Sequence, residues 1–235
     1  MTQQHSPAHA GTLLTLQRVE AYPPRGIAVG SSALNDDGRI DDRFSAYHDD
    51  LVPPLSWSAV IEAQSYALIV EDPDAPMDRP FVHWLLWNIP GTAIEIPAGV
   101  SRVAHPPELP GAVQGHNSGG GYGWHGTKPP PGHGVHHYHF QLFALSAPLG
   151  GMGPKTSLEE LVSALKGLTI ASGEVVGTYE RPDGLADAPS PGRTGAHGEA
   201  HAPTAGETAA GRGGLDADDP DRHAPHTPTG EVRRS

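Results

Sequence analysis

The sequence predicts a mainly β domain, and three observations carry that expectation. Between residues 12 and 181 the apolar residues come in short runs separated by Pro, Gly and Asp, which is the punctuation of strands and turns. Two of these runs, 65–71 (SYALIVE) and 81–89 (FVHWLLWNI), are continuously apolar and rich in aromatic and branched residues, as in strands buried on both faces. A third, 135–145 (VHHYHFQLFAL), sets His136, Tyr138, Phe140, Leu142 and Ala144 on one face and Val135, His137, His139, Gln141, Phe143 and Leu145 on the other.

Taken in order, residues 12–22 predict a first strand with weak alternation. The runs 65–71 and 81–89 are joined by a loop, 72–80, in which Pro73 and Pro76 fix φ and remove backbone donors, so that it is stiff. One helix is predicted after residue 157. Ser157 and Glu160 form a capping box, Leu158, Leu161, Val162 and Leu165 lie on one face, and Gly167 marks the end. A last strand fits 173–179 (GEVVGTY). From residue 182 the chain holds nine Gly, seven Pro and ten Ala, with no aromatic residue. Ordering such a segment costs roughly 1–2 kcal/mol per residue with almost no apolar burial to offset it, so 182–235 is expected to be an unstructured tail. Residues 1–11 are expected to be unstructured as well, which leaves 12–181 as the domain.

Composition removes several functions. Without cysteine there is no disulfide framework, thiol catalysis or cysteine-held metal. A net charge of -12 with only three lysines argues against a nucleic-acid backbone as partner. No apolar stretch approaches the ~20 residues of a membrane span, and the start lacks the pattern of a secretory signal, so a cytoplasmic location is expected.

Polar residues in apolar surroundings mark the candidate site. His83 lies inside a strand of buried character, where its imidazole is either bonded in the core or faces a pocket. Asp72 ends the preceding strand at the stiff loop, which can aim its carboxylate. Asp74 suits a turn in which its side chain bonds nearby backbone. Further on, Pro129, Pro130 and Pro131 with Gly126, Gly132 and Gly134 form a rigid loop running into the strand that bears His136 and Tyr138 on one face. Donors from these side chains suit a ligand with several acceptor oxygens, such as a phosphate or carboxylate.

These residues resemble the phosphatidylethanolamine-binding protein family, and its bacterial, Raf-kinase-inhibitor-like (YbhB/YbcL-type) branch in particular. DPDAP at 72–76, HWLLWN at 83–88 and the segment ending in His136, Tyr138 and Phe140 carry the likeness. It is supported by PPLSW at 53–57, GAVQG at 111–115 and GTYER at 177–181. The resemblance implies a β-sandwich of antiparallel sheets with a small cavity that binds anions and phosphorylated head groups such as phosphoethanolamine. By motif, the ligand-binding residues are Asp72, His83, Pro130, His136 and Tyr138. In that role the imidazoles donate to the anion, and Asp72 either orients one of them or receives an ammonium group. Tyr138 adds a hydroxyl, and the Pro-rich loop excludes water. The resemblance implies neither catalysis nor a cofactor. It also implies a possible regulatory partner, a kinase or protease, and a possible homodimer.

The chain departs from the family pattern at His137 and His116, where members carry Arg, so that positive charge there becomes conditional on pH. It also carries Trp124, His125 and Lys128 in a loop that is GYGGP in the bacterial branch, which sets them near the rim of the implied cavity. Trp124 either packs beside its Gly-rich turn or joins the Pro-rich loop in a contact patch. Two other functions compete. His133, His136, His137 and His139 within seven residues raise a metal site, with His137 and His139 sharing a face. A hydrolase is the weaker alternative, since no G-x-S-x-G elbow is present and Ser118 lacks a strand-to-helix context.

Overall fold

A computed structural model describes residues 13–182 and Gly184. The expected unstructured segments, 1–11 and 182–235, lie outside them, apart from Pro182 and Gly184.

The chain begins with a single helical turn, α1 (Thr15–Arg18), followed by β1 (Val29–Gly30), β2 (Leu55–Trp57), β3 (Ser65–Asp72), β4 (Phe81–Pro90), β5 (Glu95–Ile96), β6 (Val113–Gln114) and β7 (His136–Leu145). Helix α2 (Leu158–Leu165) and strand β8 (Thr169–Tyr179) complete it. All strand pairings within the sheets are antiparallel. A five-stranded sheet has the order β6-β4-β3-β7-β8, and a three-stranded sheet the order β1-β2-β5.

Strand β3 sits at the centre of the large sheet and is buried along its whole length, which is why its sequence is apolar on both faces. Its Tyr66, Leu68 and Val70 join Phe140, Leu142 and Ala144 of β7 in a core shared with Leu55, Trp57 and Ile96 of the small sheet. Its Ala67 and Ile69, with Phe143 and Leu145, point the other way and are covered by Leu161, Val162 and Leu165 of α2. The molecule is therefore layered as small sheet, large sheet, helix. The α2 capping box forms as predicted, with Ser157 Oγ accepting from the Glu160 backbone and the Glu160 carboxylate accepting from the Ser157 backbone.

The first predicted strand is not one. Over residues 13–22 the chain instead makes the α1 turn, held by Gln17 N–H to Leu14 O and Val19 N–H to Thr15 O. The reason lies far along the chain. The Thr15 N–H donates to the buried Glu71 carboxylate (2.9 Å), and the Leu16 N–H to the Gln141 side chain, so side chains of the sheet take the place of a strand partner. Gln141 also donates to Glu71 (2.7 Å), closing the network.

Candidate binding cavity

The cavity opens at the end of the large sheet where β3 finishes, β4 begins and β7 begins. Antiparallel pairing of β3 with both neighbours brings Asp72, Phe81 and His136 to this end. Its volume is about 240 Å³, and its wall includes Asp72, His83, Pro130 and His136. Four of the five residues singled out in the sequence thus surround one space. The fifth, Tyr138, lies fully buried beneath them, its ring edge-on to His83 at 5.0 Å between centroids.

His83 reaches the cavity through a β-bulge. Val70 pairs with Trp84 but Glu71 pairs with Val82, leaving His83 with no residue opposite it on β3. The extra residue lets Trp84 enter the inter-sheet core and Val82 face the helix side, while His83 turns to the cavity between them.

Asp72 organises both imidazoles. Its Oδ2 accepts from His136 Nδ1 at 2.8 Å and lies 3.8 Å from His83 Nε2, while Oδ1 accepts from the Asp74 N–H at 2.8 Å. Burial works against its charge. The His136 bond and the nearby His83 imidazole outweigh that cost and hold its pKa down at about 2. His83 Nδ1 donates to the His125 carbonyl at 2.6 Å, and since a carbonyl only accepts, the Nδ1 proton is fixed. The same logic fixes the proton on His136 Nδ1 and leaves its Nε2, buried and with no partner, free to engage a ligand. The Tyr138 hydroxyl also lacks a well-formed hydrogen bond, with the Lys128 backbone the polar group beside it. Burial, and then the Asp72 charge, push its pKa well above the usual value, so it stays a neutral donor.

Sequence reasoning set His125 and Lys128 near the cavity rim without counting them among the ligand-binding residues; both line the cavity. The His125 ring packs against Phe81 (5.2 Å) and His83 (5.7 Å), and its pKa is lowered by burial and by the neighbouring His83. The apolar share of the wall comes from Ala75, Pro76, Met77 and Phe81, and Met77 stands half-exposed. Of the Trp124 alternatives, packing is the one observed. The residue is 1% exposed, stacked on Phe140 at 5.6 Å, with its indole N–H on the Phe44 carbonyl.

The two Arg-to-His positions both lie off the cavity wall. His116 packs at a tilt against Tyr122 (4.4 Å between ring centroids) in an exposed turn. His137 binds Asp74 through its backbone N–H and Nδ1, each at 2.8 Å. Asp74 therefore tethers the 72–80 loop to β7 across the sheet end, whereas a turn bond to nearby backbone was expected. The metal alternative loses its geometry. The His137 ring leans to Asp74 on the β3 side and the His139 ring to Glu174 on β8, so the two are drawn apart. Among the described residues no group of three or more His, Asp or Glu is arranged to hold a metal ion. Ser118 is tied to Val82 through both its backbone N–H and its hydroxyl.

A small antiparallel sandwich carrying one carboxylate-anchored, imidazole-lined cavity at the end of its central strands is the class of domain defined so far. The model of the family described as phosphatidylethanolamine-binding protein matches residues 30–180, more than half of the chain, and the chain belongs to that family. A UPF0098 protein of Pyrococcus abyssi is 41% identical over 152 residues, covering 64% of this chain and 84% of its own. A UPF0098 protein of Mycobacterium tuberculosis is 32% identical over 156 residues, covering 66% and 70%. Among solved structures, Escherichia coli YbcL, described as a member of the mammalian family, superposes with a TM-score of 0.61 at 29% identity, covering 66% of this chain and 99% of its own. The Chlamydia trachomatis homologue CT736 gives 0.59 at 31%, covering 67% and 99%. These likenesses agree with the bacterial, YbcL-type branch. Among the described residues no helix is long and apolar enough to cross a membrane.

Proposed function

We propose that this protein is a non-catalytic binding protein whose cavity takes a small phosphorylated anion. The observation that supports this most directly is the unsatisfied, buried His136 Nε2 at a cavity that also holds His83, His125 and Lys128. Buried polar groups are rarely left without partners, and a ligand with several acceptor oxygens would supply them. Asp72 serves as the orienting group, because its hydrogen bond fixes the His136 tautomer. A kinase or protease partner and a homodimer accompany this reading as expectations of the family resemblance, and a cytoplasmic location as an expectation from the sequence.

The test is calorimetric titration of inorganic phosphate into the full chain, with His136→Gln beside it. Hydrogen bonds to charged groups contribute roughly 1.5–3 kcal/mol, so the variant should bind at least tenfold more weakly while melting as a folded protein. Equal affinity in the two proteins, or no heat with either, would overturn the reading.

A further inference from the structure

We infer that Tyr47, which does not line the cavity, is the positioning residue of its proline-rich wall, and that the tightness with which the cavity holds a ligand depends on the Tyr47 hydroxyl. This rests on the reading of the cavity as a phosphate site and names a residue that acts on it without touching the ligand.

The sequence makes this wall hard to attach. Lys128 and Pro130 line the cavity, and Pro129, Pro130 and Pro131 follow one another without a backbone N–H. The backbone of the three prolines can therefore hydrogen-bond only through its carbonyls, and the donors must come from elsewhere. The segment 44–50 supplies them. Its Phe44 O accepts from the Trp124 indole N–H at 3.3 Å, just before the wall. Ser45 and Thr127 then form a parallel bridge, in which the Ala46 N–H (3.1 Å) and the Ser45 hydroxyl (3.0 Å) both donate to Thr127 O. In a parallel pair that register sets Tyr47 beside Pro129, two residues further along each segment.

The backbone of 44–50 does not carry the pairing on. It curls into a turn, with the His48 N–H (3.0 Å) and the Asp50 N–H (3.1 Å) both donating to Ser45 O and the Tyr47 N–H donating to the Ser45 hydroxyl (3.1 Å). A side chain takes over where the backbone turns away: the Tyr47 hydroxyl donates to the Pro129 carbonyl at 2.6 Å. Pro129 is a buried residue, and a buried carbonyl that loses its donor is costly to keep in place. The Tyr47 ring is placed in turn by Arg181, whose guanidinium lies over it at 4.9 Å from the centroid. The preceding residue of the wall, Lys128, presents its backbone to the Tyr138 hydroxyl. Two tyrosines therefore hold consecutive residues of the wall, Tyr138 beneath the cavity and Tyr47 off its lining. Binding groups need placement to within about 0.5 Å, which makes the hold on this loop a determinant of affinity.

Tyr47→Phe removes the hydroxyl and keeps the ring. Titrated with inorganic phosphate at pH 7, the full-length variant should bind at least threefold more weakly than the wild type. Its backbone amide exchange should quicken at least threefold at Lys128 and His133, which flank the wall's prolines, and stay unchanged at Phe140 and Leu142 inside β7. Tyr66→Phe is the comparison. It deletes a hydroxyl that accepts from the Val60 N–H (3.1 Å) at the opposite end of β3, so it should lower the melting temperature while phosphate affinity and Lys128 exchange change less than threefold. A Tyr47→Phe affinity loss below threefold, or an equal loss in Tyr66→Phe, overturns the inference. If phosphate gives no heat with the wild type, the phosphate reading falls on its own. Quickened exchange at Lys128 and His133 then still upholds Tyr47 as the positioning residue of the wall, and unchanged exchange overturns it.

Discussion

Replacing Asp72 with Asn keeps the side chain's size and an oxygen for His136 but removes the charge that both imidazoles face. The magnitude follows from the pKa, which moves from 3.8 to about 2 on folding. At roughly 1.36 kcal/mol per unit, the ionised carboxylate stabilises the folded state by about 2 kcal/mol. Because the folded pKa is depressed, that contribution is fully present above pH 4 to 5 and is lost as the pH falls through about 2. Urea denaturation of the wild type and Asp72→Asn at pH 2.5, 3, 4 and 5 reads the effect directly. The stability difference should fall to about 1 kcal/mol or less at pH 2.5, where the unfolded carboxyl is already protonated while Asp72 in the folded state is only partly so, and should grow to about 2 kcal/mol by pH 5. At neutral pH a loss of that size lowers the melting temperature of a domain this large by about 4–8 °C. Other carboxylates titrate in the same range, but they do so in both proteins, so the difference isolates Asp72. If the two proteins show parallel pH profiles, with the same separation at every pH, then Asp72 does not make the charged contacts assigned to it.

Two further substitutions test the frame around the cavity. Gly126→Ala would set a Cβ 2.6 Å from the Ala46 backbone nitrogen, where the Ser45 hydroxyl and the Ala46 N–H both donate to Thr127 O and pin the cavity loop. The variant should melt several degrees lower and bind phosphate more weakly, and a melting temperature within about 2 °C of the wild type would show that the loop yields without cost. Leu161→Ala removes a fully buried side chain of α2 from the helix-side core and should cost about 2–5 kcal/mol in urea denaturation, with phosphate affinity unchanged because the cavity lies beyond the opposite half of the core. A loss under about 1 kcal/mol would mean that α2 is not packed as described.

The elements read most surely from sequence were those whose evidence is local. The doubly apolar runs became β3 and β4, the alternating run became β7 with the faces as expected, and the capping box became the start of α2. Their signals are periodicity and short-range hydrogen bonding, which are written in neighbouring residues. The motifs that carry the family resemblance also singled out Asp72, His83, Pro130, His136 and Tyr138. What it left open was decided by contacts over long separations. The bulge that turns His83 into the cavity exists only as a mismatch between β3 and β4, and it resets the two-residue phase on which sequence reasoning depends. The first segment reads as a weak strand until Glu71 and Gln141 arrive to bind its N–H groups. His125 and Lys128 were expected near the rim and do line the cavity, whereas the position of His116 and His137 off its wall could not be read from their order along the chain, because strand pairing and loop packing set that wall. The partner that Asp72 takes was likewise set only by tertiary contact. Its neighbour in space, His136, lies 64 residues away, and its Nδ1 donates to the carboxylate.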